Sequence, residues 1–270
     1  MTEIESRLPD IRLRPYIRMY FWGRDPNPPL AQRVVPNGEM GLMFYCGSTP
    51  SLDGMKRMHA CVKGQSVRYH DIISNGCGIE IAGVHFTALG ARILLAAPLH
   101  EFFENTVELS DMDDAEMRML ERQVAQADTR QECWTLFDDF FLHRLAASDV
   151  DTLNIRRLHR AIAYSQWQPH QASVDELAAE ACLSTRQFRR LFSDMIGMSP
   201  KDYMRIQRYH ATLQDIKLNH GNTTLSDIAW RNGYYDLSHL NADFRLITGH
   251  TPKSLIGISQ NDNDNVGWRI

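Results

Sequence analysis

Residues 173–200 read SVDELAAEACLSTRQFRRLFSDMIGMSP, and residues 224–252 read TLSDIAWRNGYYDLSHLNADFRLITGHTP. The two stretches are versions of one unit. Ser173-Val174-Asp175-Glu176 has the form of a capping box, in which the serine hydroxyl accepts from the Glu176 amide and the glutamate reaches back to the serine amide. Leu177, Ala178 and Ala181 supply an apolar stripe, and a short turn passes through Cys182-Leu183 to a second box, Ser184-Thr185-Arg186-Gln187. Phe188, Leu191, Phe192 and Met195 follow at helical core spacing, and Gly197 stands where a helix stops. Ser199 then caps a third helix that Pro200 opens. Thr224, Ile228 and Ala229 recur 51 residues after Ser173, Leu177 and Ala178. Asp236, Leu240, Phe244, Gly249, Pro252 and Lys253 recur 52 residues after Ser184, Phe188, Phe192, Gly197, Pro200 and Lys201. The step from 51 to 52 places one extra turn residue near Gly233-Tyr234-Tyr235.

Two short helices joined by a tight turn and followed by a capped exit form a helix-turn-helix pattern. The helix expected from Ser199 to about Leu218 would hold the copies apart by about 30 Å at ~1.5 Å per residue. That is close to the ~34 Å between successive major-groove faces of DNA. A purely structural helical array explains the pattern less well, because such arrays need about three repeats and this chain has two.

Ser173 to Ile256, with a preceding helix at Leu153 to Tyr164, resembles the AraC/XylS transcriptional regulators. The matching residues are Leu183-Ser184, Phe188-Arg189-Arg190-Leu191-Phe192, Gly197-Met198-Ser199-Pro200, Ile228-Ala229, Gly233-Tyr234, Ser238-His239, Phe244-Arg245 and Gly249-His250-Thr251-Pro252. In a helix-turn-helix the second helix enters the major groove and its N-terminal residues meet base edges. Phe188, Leu191 and Phe192 face inward, which leaves Arg186, Gln187, Arg189 and Arg190 toward solvent. Arginine pairs with guanine O6/N7 and glutamine with adenine N6/N7. The resemblance puts Arg186 and Arg190 at base-reading positions, while Arg189 suits a solvated face or a phosphate. In the second copy Ser238, His239, Asn241 and Arg245 are the candidate DNA contacts. Ala242 departs from the family, which commonly has arginine there. The first copy is therefore expected to read sequence and the second to grip backbone. The resemblance also implies double-stranded DNA and RNA polymerase as partners.

The first half reads as short strands leading into helices. Ile17 to Trp22, Met40 to Cys46, Val67 to Ile73 and Ile79 to Phe86 are strand-like, with a turn at Ser74-Asn75-Gly76. From about Ser110 the period becomes helical, with a helix opening near Leu109 to Asp113 and carrying Met117, Leu120 and Val124. A second helix carries Trp134, Phe137 and Phe141. These helices pack on the sheet, form a dimer face, or do both. Val35-Pro36-Asn37-Gly38 and Pro98-Leu99-His100-Glu101 resemble the β-rich sensor domain of one branch of the same family. Trp22, Tyr45, Tyr69 and His85 are the candidate ligand-binding residues of such a domain, against the alternative that they are ordinary core.

The net charge of −4 does not suggest a nucleic-acid binder, but the charge is uneven. Residues 1–150 hold 15 Lys plus Arg against 21 Asp plus Glu, and residues 155–257 hold 13 against 9. An acidic regulatory half joined to a basic nucleic-acid half fits that asymmetry. No G-x-x-x-x-G-K-[ST], G-x-G-x-x-G, G-x-S-x-G or H-E-x-x-H string occurs. His59-Ala60-Cys61 has no second pair to complete a zinc site. No catalytic residue, metal or cofactor is assigned. The five cysteines are dispersed, the N-terminal stretch MTEIESRLPD has no apolar signal core, and the longest apolar run, Ile93 to Leu99, is far too short to span a membrane. A cytoplasmic protein with reduced thiols is the expectation.

The expected fold is α+β in two domains. Residues 1–150 form a small β-barrel (cupin-like) ending in helices, for effector binding or dimerisation. Residues 151–259 form an all-α domain with two helix-turn-helix motifs on a linker helix, and 260–270 are a flexible tail. The expected function is a homodimeric, sequence-specific DNA-binding transcription regulator, an activator controlled by a small-molecule effector or partner. The alternatives are a ligand-independent dimeric regulator, and an enzyme or DNA-modifying protein targeted by its second half.

Overall fold

The computed structural model describes residues 3–27, 31–46, 51–52, 59–73, 78–149, 151–167, 172–219 and 223–255. The turn expected at 74–76 and the tail at 260–270 lie outside these. The described chain divides into two compact units. One comprises residues up to Val150, apart from two short segments, Val35–Gly38 and Ser66–Tyr69, which belong with Asp151–Ile270 in the other.

Among its described residues the first unit contains nine strands: β1 (Glu3–Arg7), β2 (Ile17–Asp25), β3 (Ala31–Val34), β4 (Gly41–Tyr45), β5 (Ser51–Leu52), β6 (Ala60–Lys63), β7 (His70–Ile73), β8 (Ile79–Phe86) and β9 (Thr106–Glu108). They make a six-stranded sheet in the order β1-β2-β8-β4-β6-β9 and a three-stranded sheet in the order β3-β7-β5, with antiparallel pairings throughout. The expected barrel thus takes the form of two sheets that the described pairings do not close. The strand-like run at Val67 to Ile73 shortens to β7. Ser66 Oγ accepts from the Arg68 amide at 3.0 Å and donates to the Arg68 carbonyl at 2.7 Å, which turns those backbone groups away from a ladder. β1 escaped the sequence reading because it is an edge strand whose first four residues are exposed, so no apolar alternation marks it.

Among the described residues three α-helices belong to this unit: α1 (Gly90–Leu94), α2 (Ala115–Gln126) and α3 (Arg130–Ala147). The helix expected to open near Leu109 begins later. Leu109–Asp111 is a single 3-10 turn, and the true cap is Asp114, whose side chain accepts from the Met117 amide at 3.0 Å. The two-residue period of β2, β4 and β8 puts Tyr20, Trp22, Leu42, Phe44, Val84 and Phe86 on one sheet face. α3 covers that face. Phe137 lies 5.3 Å from the Tyr20 ring and 5.5 Å from Phe44, and Phe141 lies 5.6 Å from Phe86. Burying each such ring stabilises by about 2–3 kcal/mol. Tyr20 also donates its hydroxyl proton to Asp138 on α3 at 2.9 Å.

The second unit contains six helices among its described residues: α4 (Thr152–Trp167), α5 (Val174–Glu180), α6 (Thr185–Ile196), α7 (Pro200–Leu218), α8 (Leu225–Arg231) and α9 (Leu237–Thr248). Both capping boxes of the first copy form, at Ser173/Glu176 and Ser184/Gln187. Gly197 and Gly249 end α6 and α9 with φ of 90° and 79°, the left-handed conformation that glycine adopts without a side-chain clash. Among the described residues no helix is long and apolar enough to cross a membrane.

On the opposite face of the first sheet lies half-buried His85, its ring tilted against Phe21 at 4.8 Å. Burial, aided by the charges of Lys63 and Arg18, pushes its pKa down to about 4. The folded chain therefore holds His85 neutral between about pH 4 and the ordinary value of ~6.5, where the unfolded chain takes up a proton. Stability from this group is complete above pH 6.5 and falls as the pH drops through that window. Denaturant melts of the wild type and His85→Gln at pH 7.5, 6 and 5 should show a steeper loss for the wild type; parallel curves would contradict it.

Candidate nucleic-acid interface

The interface is built from the two recognition helices, α6 and α9, and their alignment by structure is residue for residue. Leu183 N donates to Ala178 O at 2.9 Å, and Tyr234 N donates to Ala229 O at 3.0 Å. Leu183 and Tyr234 are therefore the same turn position, reached through left-handed residues at Cys182 (φ 54°) and Gly233 (φ 74°). The inserted residue is Tyr235, which is 91% exposed and immediately precedes the cap of α9. From there on Arg186 corresponds to Ser238, Gln187 to His239, Arg189 to Asn241 and Arg190 to Ala242.

The caps occupy two of the candidate contacts. Ser184 N and Oγ both donate to Gln187 Oε1, at 3.1 and 2.7 Å. This ties down the carbonyl end of the Gln187 amide, which a bidentate contact to adenine would need. In the second copy Asp236 accepts from the His239 amide at 2.7 Å, and His239 Nδ1 accepts from Tyr235 N at 3.4 Å. The His239 ring also packs 5.1 Å from Tyr234. Both residues hold the start of their helix, a role visible in the spacing of the boxes.

Arg186, Arg189 and Arg190 are exposed, as are Ser238, Ala242 and Arg245, while Asn241 is half-buried. Four arginines elsewhere in this unit are committed to carboxylates: Arg160 to Glu180, Arg205 and Arg208 to Asp243, and Arg231 to Asp215. Arg186, Arg189, Arg190 and Arg245 have no such ion pair among the described residues. Their guanidinium groups are available to anions or base edges.

Sequence reasoning missed Asp243. It lies on α9 between Leu240 and Phe244, in the position of Leu191 in the first copy, and its side chain is only 7% exposed. Arg208 donates to it at 2.9 Å and Arg205 lies 3.3 Å away, both from α7. Arg208 also covers the Tyr234 ring at 4.6 Å. The signal was available: an acid at a core phase of α9, with arginines three apart on α7. A buried carboxylate is tolerated only when paired.

The ligand candidates of the first unit do not converge. The β2–β8 and β4–β8 registers put Trp22 on the face covered by α3, and Tyr45 and His85 on the opposite face. Tyr69 falls in the Ser66–Tyr69 segment of the second unit. A cavity of about 570 Å³ lies on the α3 side, and of the four candidates Trp22 alone lines it. Among the described residues no group of three or more His, Cys, Asp or Glu is placed to hold a metal ion.

Replacing Asp243 by Ala leaves half-buried Arg208 without its carboxylate and Arg205 with Asp202 alone. The variant should lose about 2–4 kcal/mol of stability. Chemical denaturation measures this, and a loss under ~0.5 kcal/mol would show that the cluster does not hold α9 to α7.

Residues 177–256 match the family described as a helix-turn-helix domain, and residues 5–108 match a domain of unknown function. No curated protein matches the chain. ToxT from Vibrio cholerae O395 is similar in structure, at 10% identity over 88% of this chain and 97% of that one, with a TM-score of 0.46. ToxT from Vibrio cholerae strain SCE256, bound to an unsaturated fatty acid, is similar at 11% identity over 93% and 96%, with a TM-score of 0.45. The DNA-binding domain of the global transcriptional factor AdpA, in complex with a target DNA, is 25% identical over 40% of this chain and 97% of that one, with a TM-score of 0.35. The doubled and capped helix-turn-helix of residues 177–256 is thus a DNA-binding domain of the AraC type.

Proposed function

We propose that the second unit reads two successive major-groove segments on one side of DNA, with α6 supplying sequence selection and α9 supplying grip. The observation that carries this is the set of exposed guanidiniums on α6 with no carboxylate partner among the described residues. Arg186 and Arg190 stand four residues apart and so share one helix face. Both face the groove and donate in two-pronged fashion to guanines. Arg189, turned aside from them, takes a phosphate. The second copy has Ser238 and Ala242 at the two reading positions, which offer a short hydroxyl and a methyl group. Its contribution comes from Arg245, Asn241, the N-terminal amides of α9 and the exposed Tyr235, which sits where the helix enters the groove.

α7 is a 19-residue helix, about 28 Å long at ~1.5 Å per residue, which suits copies one DNA turn apart. With a surplus of only four positive charges over 155–257, one such unit binds weakly at physiological salt. Function therefore calls for a dimer on paired or repeated sites. The first unit supplies dimerisation and receives an effector, and the bound protein activates by contacting RNA polymerase.

Arg190→Ala should weaken specific binding by about 1–3 kcal/mol and relax preference at one base pair, whereas Arg245→Ala should weaken all sequences alike and lower the salt slope by about one. Competition titrations with specific and random duplexes, at several salt concentrations, separate the two. An unchanged specific-to-random ratio for Arg190→Ala removes α6 as the reader. Sedimentation at micromolar concentration tests the dimer, and monomers both with and without DNA would refute it.

A further inference from the structure

The cavity in the first unit is lined with chemistry that selects a ligand. Its walls come from the sheet face that carries Trp22 and Glu80, from Glu5 on β1, and from the start of α3. At about 570 Å³ it falls within the range of small-molecule sites. It lies on the helix-covered side of the sheet, the face opposite Tyr45 and His85.

One guanidinium already shows what the walls attract. Arg130 lies over the Trp22 ring at 4.2 Å and donates to the Glu5 carboxylate. Glu80 accepts from Trp22 Nε1 at 3.1 Å, which fixes the indole plane and places a second negative charge beside it. With Asp128, the walls carry three carboxylates against the single cation of Arg130. The nearby thiols Cys46 and Cys133 are pushed up by burial, so they stay neutral at physiological pH and add no charge. Arg130 itself is partly open to solvent, with its side chain 44% exposed. Trp134, 6% exposed and also in the wall, has an indole N–H with no acceptor among the described residues.

We infer that this cavity binds a small metabolite with a planar cationic head of the guanidinium type and a hydrogen-bond acceptor at its other end. The head takes the place of Arg130 on the face of Trp22, between the carboxylates of Glu5 and Glu80. The acceptor meets Trp134. Cation–π attraction to the Trp22 face, with carboxylates on either side, supplies the recognition of the head. The inference deepens the effector reading given above and rests on the first unit being the ligand-receiving part.

L-arginine, which has both ends, and agmatine, which lacks the carboxylate, are the probes; oleate is the anionic comparison. Calorimetric titration of the full chain should show binding of L-arginine, weaker binding of agmatine and none of oleate in this cavity. Arg130→Ala removes the internal competitor and should tighten L-arginine binding by about threefold to tenfold. Glu80→Gln keeps an acceptor for Trp22 but removes a charge, and should weaken it by a similar factor. Thermal melts of both variants establish that the fold is intact. Tightening for Arg130→Ala supports the inference. Weakening for Arg130→Ala, or binding of oleate that Arg130→Ala abolishes, means the site takes anions and overturns it, as does a failure of both guanidino probes to bind. DNA titration with and without L-arginine is scored separately: binding without a change in DNA affinity sinks the effector reading and leaves the site standing.

Discussion

Both reading units close on one helix. α7 is the third helix of the first copy and the support of the second, so its ends must satisfy two cores at once. At its N-terminal end Tyr203 meets Phe192 of α6 at 5.5 Å, edge to face. Two turns on, Tyr209 meets Phe244 of α9 at 4.8 Å in the same manner. Ile206, fully buried, lies between them. An α-helix rises a set distance and turns a set angle per residue, so the length and phase of α7 determine where the copies stand. A one-residue insertion between Tyr203 and Tyr209 would rotate one contact by about 100° relative to the other and detach it from its core.

The two copies then diverge in how they use that support. In the first, Leu191 stands where the second has Asp243, and the anchoring is apolar, through Phe188, Phe192 and Ile196. In the second, Asp243 receives Arg205 and Arg208 from α7, while Tyr209, Tyr234 and Phe244 pack around. Burial pushes the Tyr234 hydroxyl up to about 12, so the ring beneath Arg208 is neutral at working pH. A paired buried charge is directional where an apolar contact is not. It therefore fixes the rotation of α9 about its own axis, at a desolvation cost that the aromatic packing offsets.

Much of the second unit was legible because its signals are local. Capping boxes, left-handed glycines and core spacing act within four residues, and Ser173, Ser184, Gly197 and Ser199 each do what their neighbours imply. Asp243 was not legible in that way, since its partners lie more than thirty residues earlier in the chain. The first unit shows the same division. β8 alternates at its start and β4 is an apolar run bounded by turn residues, so both were evident, whereas β1 is polar and β6 is only four residues long, so their strand character comes from pairing with distant neighbours. The ligand candidates failed to converge for a related reason. Tyr45 and His85 are aromatic strand residues like Trp22, but register decides the face of the sheet, and register is a tertiary fact.

The caps also decide which residues remain free for recognition. A helix start has four amides without internal partners, and the residue three beyond the cap serves them best when it reaches backward. Gln187 does so in the first copy and His239 approaches the same geometry in the second. Each is thereby engaged at the start of its own helix. On the same face of α6, Arg186 and Arg190 have long, exposed side chains that extend beyond the cap. The second copy has Ser238 and Ala242 there, too short to do the same. An arginine at position 242 would restore the missing reach without touching the cap or the Asp243 cluster, because it replaces an exposed methyl group. At the exposed face the asymmetry between the copies therefore resides in two side chains, Ser238 and Ala242 against Arg186 and Arg190.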